Sequence, residues 1–373
     1  MISKAMQAKL ATFVFGYAMW LIPLKTDKLI IMKGKLLILG CFVTLKLFAQ
    51  NDSTAVKDTT VVDISGEIAN NKKWSGDESS LKIFYGQRLI NANTVEVLRK
   101  GVMEFRVIHN FYDIAGDDGG IRKFFGLDNA ADVRIGFQIG LGNRLNIVAA
   151  RTRGDEGSVG DTIQNSNSFR VGPVQELWEL GLKYQFLKQI ENDPKHPLSL
   201  TIYANSVVSS MKSIGGQYKE SSFENFSDRL SQLVQLMIAR RFGNVSLQIS
   251  PTYVHTNYVV PGKDDKNIFA LGGGLRLPIT KKFFLISDYF HSFRSQESKD
   301  FLESHNVHLH DVFGIGVEIL TEGHVFHMNF TNARNILENR FIPRTYSSWG
   351  DGQYRWGFTI SRNFILFRDK KNR

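Results

Sequence analysis

The sequence predicts an all-β protein: a transmembrane antiparallel β-barrel of about 12 strands, with short periplasmic turns and long outer loops. Three observations carry this. Period-two alternation recurs in stretches of about ten residues, the length of a tilted strand crossing a bilayer. The less apolar face of each stretch holds Gly, Ser, Gln, Lys and Glu, which make a poor packed core but suit a polar lumen. The connections alternate between short and long, a sorting that a soluble sandwich has no reason to show.

The alternation is legible residue by residue. Val133, Ile135, Phe137 and Ile139 alternate with Arg134, Gly136 and Gln138. Trp178, Leu180, Leu182, Tyr184 and Phe186 alternate with Glu179, Gly181, Lys183 and Gln185. The same pattern runs through Val245, Leu247 and Ile249, through Phe313 to Ile319, and through Tyr354 to Ile360. Taken in order, strands are expected at 102–111, 131–140, 144–152, 175–186, 198–208, 232–242, 244–256, 267–277, 282–293, 309–320, 324–334 and 352–367. The even-numbered strands are followed by short turns at 141–143, 243, 278–281 and 321–323, and by one longer connection at 187–197. Long loops follow the odd-numbered ones, and 153–174 and 209–231 are long enough to fold inward as a constriction. Gly272, Gly273 and Gly274 fall inside a strand and read as a packing or curvature device rather than a nucleotide site.

Composition agrees. At 43% hydrophobic and 22% charged the 373-residue chain is not disordered, and 28 Phe and 32 Gly against 8 Pro suit long aromatic-rich strands. The formal charge of +10 is concentrated before residue 50, where seven Lys face the single acid Asp27. The remaining charge is scattered, so no nucleic-acid partner is expected. Residues 32–49 read as a secretory signal peptide, with a short basic start, an apolar run and Ala49 before a polar stretch. Residues 1–31 then precede the natural start. A rival lipoprotein-type signal, Ile38-Leu39-Gly40-Cys41, has an apolar run of only about five residues before the cysteine. Cys41 is the only cysteine, so cleavage after Ala49 leaves a chain without thiol chemistry or disulfides. Residues 50–100 are expected as a flexible periplasmic leader, 101–367 as the barrel and 368–373 as a basic tail.

Several stretches resemble a Bacteroidota-type family of exported β-barrels known only as a domain of unknown function. They are Arg88-Leu89-Ile90-Asn91, Glu104 to His109, Phe125-Gly126-Leu127-Asp128, Pro251 to Asn257, and above all the run from Gly323 to Phe364. The resemblance spans about 88–367 and implies a barrel in the outer membrane of a Gram-negative bacterium. It implies no substrate or activity. The aromatic end expected of such chains is displaced here, because Phe367 is followed by residues 368–373.

Candidate chemistry is sparse. His291, His308 and His310 are expected to meet at the outer rim, near His305, and three imidazoles suit Zn or Cu. Rim histidines are ordinarily solvated, however, and no metal is assigned. With Leu320 paired to His324, His324 and His327 lie about 14 residues, roughly 45 Å, from His310 and cannot share its ion. Asp113, Asp117, Asp118 and Asp128 in a Gly-rich loop offer oxygen ligands for Ca²⁺, but without EF-hand spacing. No Ser or other nucleophile has a base beside it on one face, so neither an enzyme nor a cofactor is expected. The inward residues Arg134, Gln138, Glu179, Lys183, Glu318 and Arg355 are the candidate lining of a pore. The expected function is a narrow passive channel for small polar solutes in contact with outer-membrane lipid. The alternative is a non-conducting structural or receptor barrel that binds a ligand or partner through its long loops.

Overall fold

The computed structural model describes residues 81–367, except 117–118, 129, 155–175, 214–222, 258, 260–263 and 305. Twelve antiparallel strands form one closed barrel. In order they are β1 (Val102–Asp113), β2 (Ala130–Gly140), β3 (Leu145–Gly154), β4 (Glu176–Leu187), β5 (Ser199–Ser209), β6 (Leu230–Phe242), β7 (Val245–Thr256), β8 (Asn267–Pro278), β9 (Phe283–Phe293), β10 (Val312–Leu320), β11 (His324–Thr331) and β12 (Arg355–Ile365). Each strand pairs with its sequence neighbours, and β1 closes the ring against β12, with Val102 opposite Ile365 and Ile108 opposite Thr359. Closure leaves no edge, so strand amides and carbonyls find partners without water.

The two faces of this wall invert the rule for a soluble protein. On β4, Trp178, Leu180 and Leu182 are 54%, 60% and 53% exposed, while Glu179 and Lys183 are 4% and 1% exposed. The same inversion holds on β2, where Ile135 and Phe137 point outward and Arg134 and Gln138 inward. An apolar exterior around a polar interior needs an apolar solvent outside.

The turns at one end are short and the connections at the other long, as expected. The short-turn end carries residues 141–144, 188–198, 243–244, 279–282 and 321–323. Of the loops proposed to constrict the lumen, 153–174 lies largely outside the described residues and 209–231 in its middle, 214–222; the signal, residues 1–31, the tail 368–373, His305, Asp117 and Asp118 also lie outside them. At the long-loop end are helix α1 (Gln296–Ser304) and, between β11 and β12, the single turn α2 (Glu338–Phe341).

Three expectations require correction. The β10–β11 hairpin is offset by one residue: Leu320 pairs with Val325 and Glu318 with His327. The tight turn sets this, with Gly323 at φ +88° and the Thr321 amide bonded to the His324 carbonyl. His327, Asn329 and Thr331 therefore face the lumen. Second, β10, β11 and β12 are shorter than expected, because residues 332–354 leave the wall and turn inward. Ala333, Leu337, Glu338 and Phe341 are all buried. Third, residues 81–100 are not a flexible leader. Ile83, Phe84, Leu89, Thr94 and Val95 are each no more than 1% exposed. Their polar neighbours Gln87, Arg88, Asn91 and Asn93 look solvent-seeking in the sequence, but a polar lumen buries such residues and gives them partners.

The outward band yields a direct check. Leu180→Arg, near the middle of β4, places a guanidinium against hydrocarbon and is expected to lower folding stability by about 2–4 kcal/mol. Denaturant titration in lipid vesicles measures this.

Candidate functional site

Residues 81–100 enter the barrel from the short-turn end, reverse at Ile90-Asn91 and return to β1. The reversal is a small hairpin. The Leu89 amide donates to the Ala92 carbonyl at 2.9 Å, the Thr94 amide to the Gln87 carbonyl at 3.0 Å, and Arg88 bridges Asn93. This finger fills the lumen as a plug.

The strands have largely used their backbone on their neighbours, so the plug's amides and carbonyls that its own hairpin leaves free find mostly side chains. At the tip, Asp288 Oδ2 on β9 accepts three consecutive amides, from Ile90 at 3.0 Å, Asn91 at 2.6 Å and Ala92 at 2.8 Å. Its Oδ1 accepts the Asn91 side-chain amide at 2.8 Å. Down the returning arm, Gln248 accepts from the Val95 amide and donates to the Asn93 carbonyl. Gln185 and Thr201 both donate to the Val95 carbonyl, and Asn146 holds Leu98 through both its amide and its carbonyl. Apolar contacts complete the seat: Ile83, Phe84, Leu89 and Ile90 belong to one buried cluster with Tyr203, Met237, Ile286 and Phe290.

Two glycines make room. A Cβ at Gly314 would stand within 2.9 Å of Asn91, Asp288 and Ile90, and one at Gly140 would collide with the Arg99 carbonyl at 1.9 Å. Gly272 and Gly274, read as packing devices, do face inward, against Phe290 and Leu89.

From the opposite end, the loop 332–354 meets the plug. Glu338 takes the Arg88 guanidinium at 2.9 Å and the Asn93 amide at 2.8 Å. Arg88 also donates to the carbonyls of Asn91 and Ile336, and the Ile336 amide is held by Asp132 at 2.8 Å. Segments from both ends thus meet inside the barrel and latch to each other. One small space beside Asn93, Arg106, Lys183 and Tyr203 measures about 10 Å³, enough for about one water.

All six residues expected inside do point inward and are buried. Arg134 grips Glu179 through Nε at 3.1 Å and Nη2 at 2.6 Å, and Glu179 also accepts from Tyr203 and, at 2.9 Å, from Asn205. Glu318 pairs with Arg276 at 2.6 Å and with His327 at 3.2 Å, whose other ring nitrogen lies 3.1 Å from the Leu89 carbonyl. Arg355 pairs with Asp113 and donates to Ser347 at 2.7 Å. Gln138 and Lys183 instead reach the plug, both donating to Gln87, at 2.9 and 3.3 Å. The residues that sequence reasoning missed are Arg88, Asp288 and Glu338, the anchors of the plug. A usable signal lay in Leu81, Ile83, Phe84, Leu89 and Ile90, too apolar a set for a solvated leader.

The rim histidines do gather at the long-loop end, where His291 contacts Asp311 at 2.9 Å. Among the described residues, no three His, Cys, Asp or Glu side chains are placed to hold a metal ion.

The anchors can be separated by mutation. Asp288→Ala leaves three buried amides without an acceptor, at about 1–3 kcal/mol each, and is expected to raise hydrogen exchange at residues 90–92 while the strands stay protected. Arg88→Ala and Glu338→Ala each strand a buried charge, costing about 3–5 kcal/mol, so the double variant is expected to lose less than the sum. A double-mutant cycle on plug protection measures that coupling.

No curated protein matches the chain. Among solved structures, the KdgM porin is similar at 8% identity and TM-score 0.39, over 70% of this chain and 99% of that one. The outer membrane phospholipase A of Escherichia coli is similar at 11% identity and TM-score 0.36, over 74% and 98%. LpxR from Salmonella typhimurium is similar at 11% identity and TM-score 0.36, over 71% and 99%. The family model described as a membrane bound beta barrel domain (DUF5777) matches residues 84–364, from inside the plug to the last strand, and the chain belongs to that family.

Proposed function

We propose that this protein is an outer-membrane barrel of a Gram-negative bacterium, held closed by its own residues 81–100, that passes small polar solutes only when that segment is displaced. One observation carries the reading: a two-armed finger of backbone occupies the lumen, its tip fixed by three amides on Asp288. Barrels of about eight strands are filled by side chains and those of about sixteen hold open water channels. Twelve strands here enclose space for a folded segment, so withdrawing it vacates a bore of solute size. The bore so exposed keeps the ion pairs Arg134–Glu179 and Arg276–Glu318, whose partners all belong to the wall, and frees the face of Arg276 that stacks on Tyr85 of the plug. A permanently open passive channel is disfavoured by the same filling.

A second reading keeps the lumen shut and gives the protein a receptor role at its long loops. It is favoured by an open-mouthed cavity of about 550 Å³ at that end.

Planar-bilayer conductance of residues 50–373 separates the two, with folding verified by heat-dependent gel migration. The wild-type barrel is expected to be silent. The Asp288→Ala/Arg88→Ala variant and a deletion of residues 81–98 are expected to give discrete steps. Steps of equal size in the wild type would contradict closure by the plug. A folded but silent deletion variant would remove the passage and leave the receptor role.

A further inference from the structure

The cavity at the long-loop end lies between α1, the approach to β10 and the inward-turned loop. Its floor is apolar, built from Leu302, Val307, Ile342 and Pro343, all buried. Its rim is polar and exposed, carrying Lys299, Glu303, His308 and His310. Not every charge there is available. Arg294 is neutralised by Asp264 at 2.5 Å and donates to the Pro343 carbonyl, and Asp311 is held by Tyr289 and by His291 at 2.9 Å.

Among the described residues, the side chains of Lys299, His308 and His310 enter no hydrogen bond or ion pair. Three donor-capable groups therefore stand against two lining carboxylates, Glu303 and Asp311, the second already engaged by Tyr289 and His291. An apolar floor beneath such a rim suits a ligand with two unlike ends, and the volume falls in the usual range of small-molecule sites, about 300–1,000 Å³. A metal ion would leave the apolar floor without use.

We propose that this cavity binds a compact organic anion with an apolar body, the body resting on Leu302, Val307 and Ile342 and the charged group facing Lys299 and His308. This names the ligand class for a receptor role at the long loops, yet it holds whether or not the lumen opens. Ile342 and Pro343 of the floor belong to the same loop as Glu338, whose backbone carbonyl accepts the Ile342 amide at 3.1 Å, so the site stands beside the latch of the plug.

The test is ligand-observed NMR titration of the full mature chain in nanodiscs with two probes of one shape, 1-naphthoate and 1-naphthylmethylamine. The carboxylate is expected to bind roughly tenfold tighter than the amine. Lys299→Glu together with His308→Glu, both exposed positions, is expected to reverse that order in a barrel that still shows the heat-dependent gel shift. Absence of binding by naphthoate would overturn the proposal. So would equal affinity for the two probes, or a preference that survives the charge reversal. Conductance is not needed for this readout, so its failure and the failure of the gated passage remain distinguishable.

Discussion

Twelve strands enclose more space than their inward side chains fill, and the rest of the structure follows from that surplus. A closed wall has few spare backbone groups, so whatever occupies the interior must bond mostly to side chains. That requirement explains the inward face. Asp288, Gln248, Gln185, Thr201 and Asn146 are the acceptors and donors that a folded segment lacks when it cannot join the sheet. The lumen is polar because its occupant is backbone, and the apolar residues of the finger pack into the few apolar stretches of the wall, such as Met237 and Ile286.

The charges divide into two sets. Arg134–Glu179, Arg276–Glu318 and Arg106–Glu104 are matched within the wall, although Arg276 also stacks on Tyr85 of the plug at 4.2 Å. Arg88–Glu338 and the Asp288 carboxylate are matched only when the plug is seated. Buried pairs add little net stability against apolar substitutes, but they specify one arrangement. Arg88 and Glu338 lie 250 residues apart in sequence and join the segment entering from one end to the loop entering from the other. Displacing the finger leaves these wall pairs in place, while Asp288, Glu338, Lys183 and the amides and hydroxyls that hold the finger exchange their partners for water. That asymmetry makes a removable closure physically reasonable.

The barrel was largely legible in the sequence, and the plug was not, for the same reason. Period two separates an apolar face from a polar one, and strands such as 175–186 and 267–277 lie within a residue of their observed bounds. The pattern also marks which side is inside, so Arg134, Glu179, Lys183 and Glu318 were identified as inward without any structure. A hairpin finger has no such period. Gln87, Arg88, Asn91 and Asn93 carry the composition of a solvated linker, and only knowledge of a polar cavity turns that composition into a buried one. Likewise nothing near Glu338 distinguishes a loop that turns into the barrel from one that stays outside. The offset of the β10–β11 hairpin had a smaller cause, one residue of turn geometry at Gly323, but it decided that His327 meets Glu318.

Site-directed cross-linking tests the central claim most directly. Asn91 at the tip of the plug and Thr331 on β11 touch through their side chains at 3.1 Å. With Cys41 as the only native cysteine, Asn91→Cys and Thr331→Cys can be paired in a Cys41→Ser background. Oxidation of intact membranes is expected to join them in nearly all of the folded protein, leaving a gel-shifted species that collapses on reduction. A folded barrel in which the pair stays unlinked would show that residues 81–100 do not occupy the lumen, and the account of a self-plugged barrel would fall.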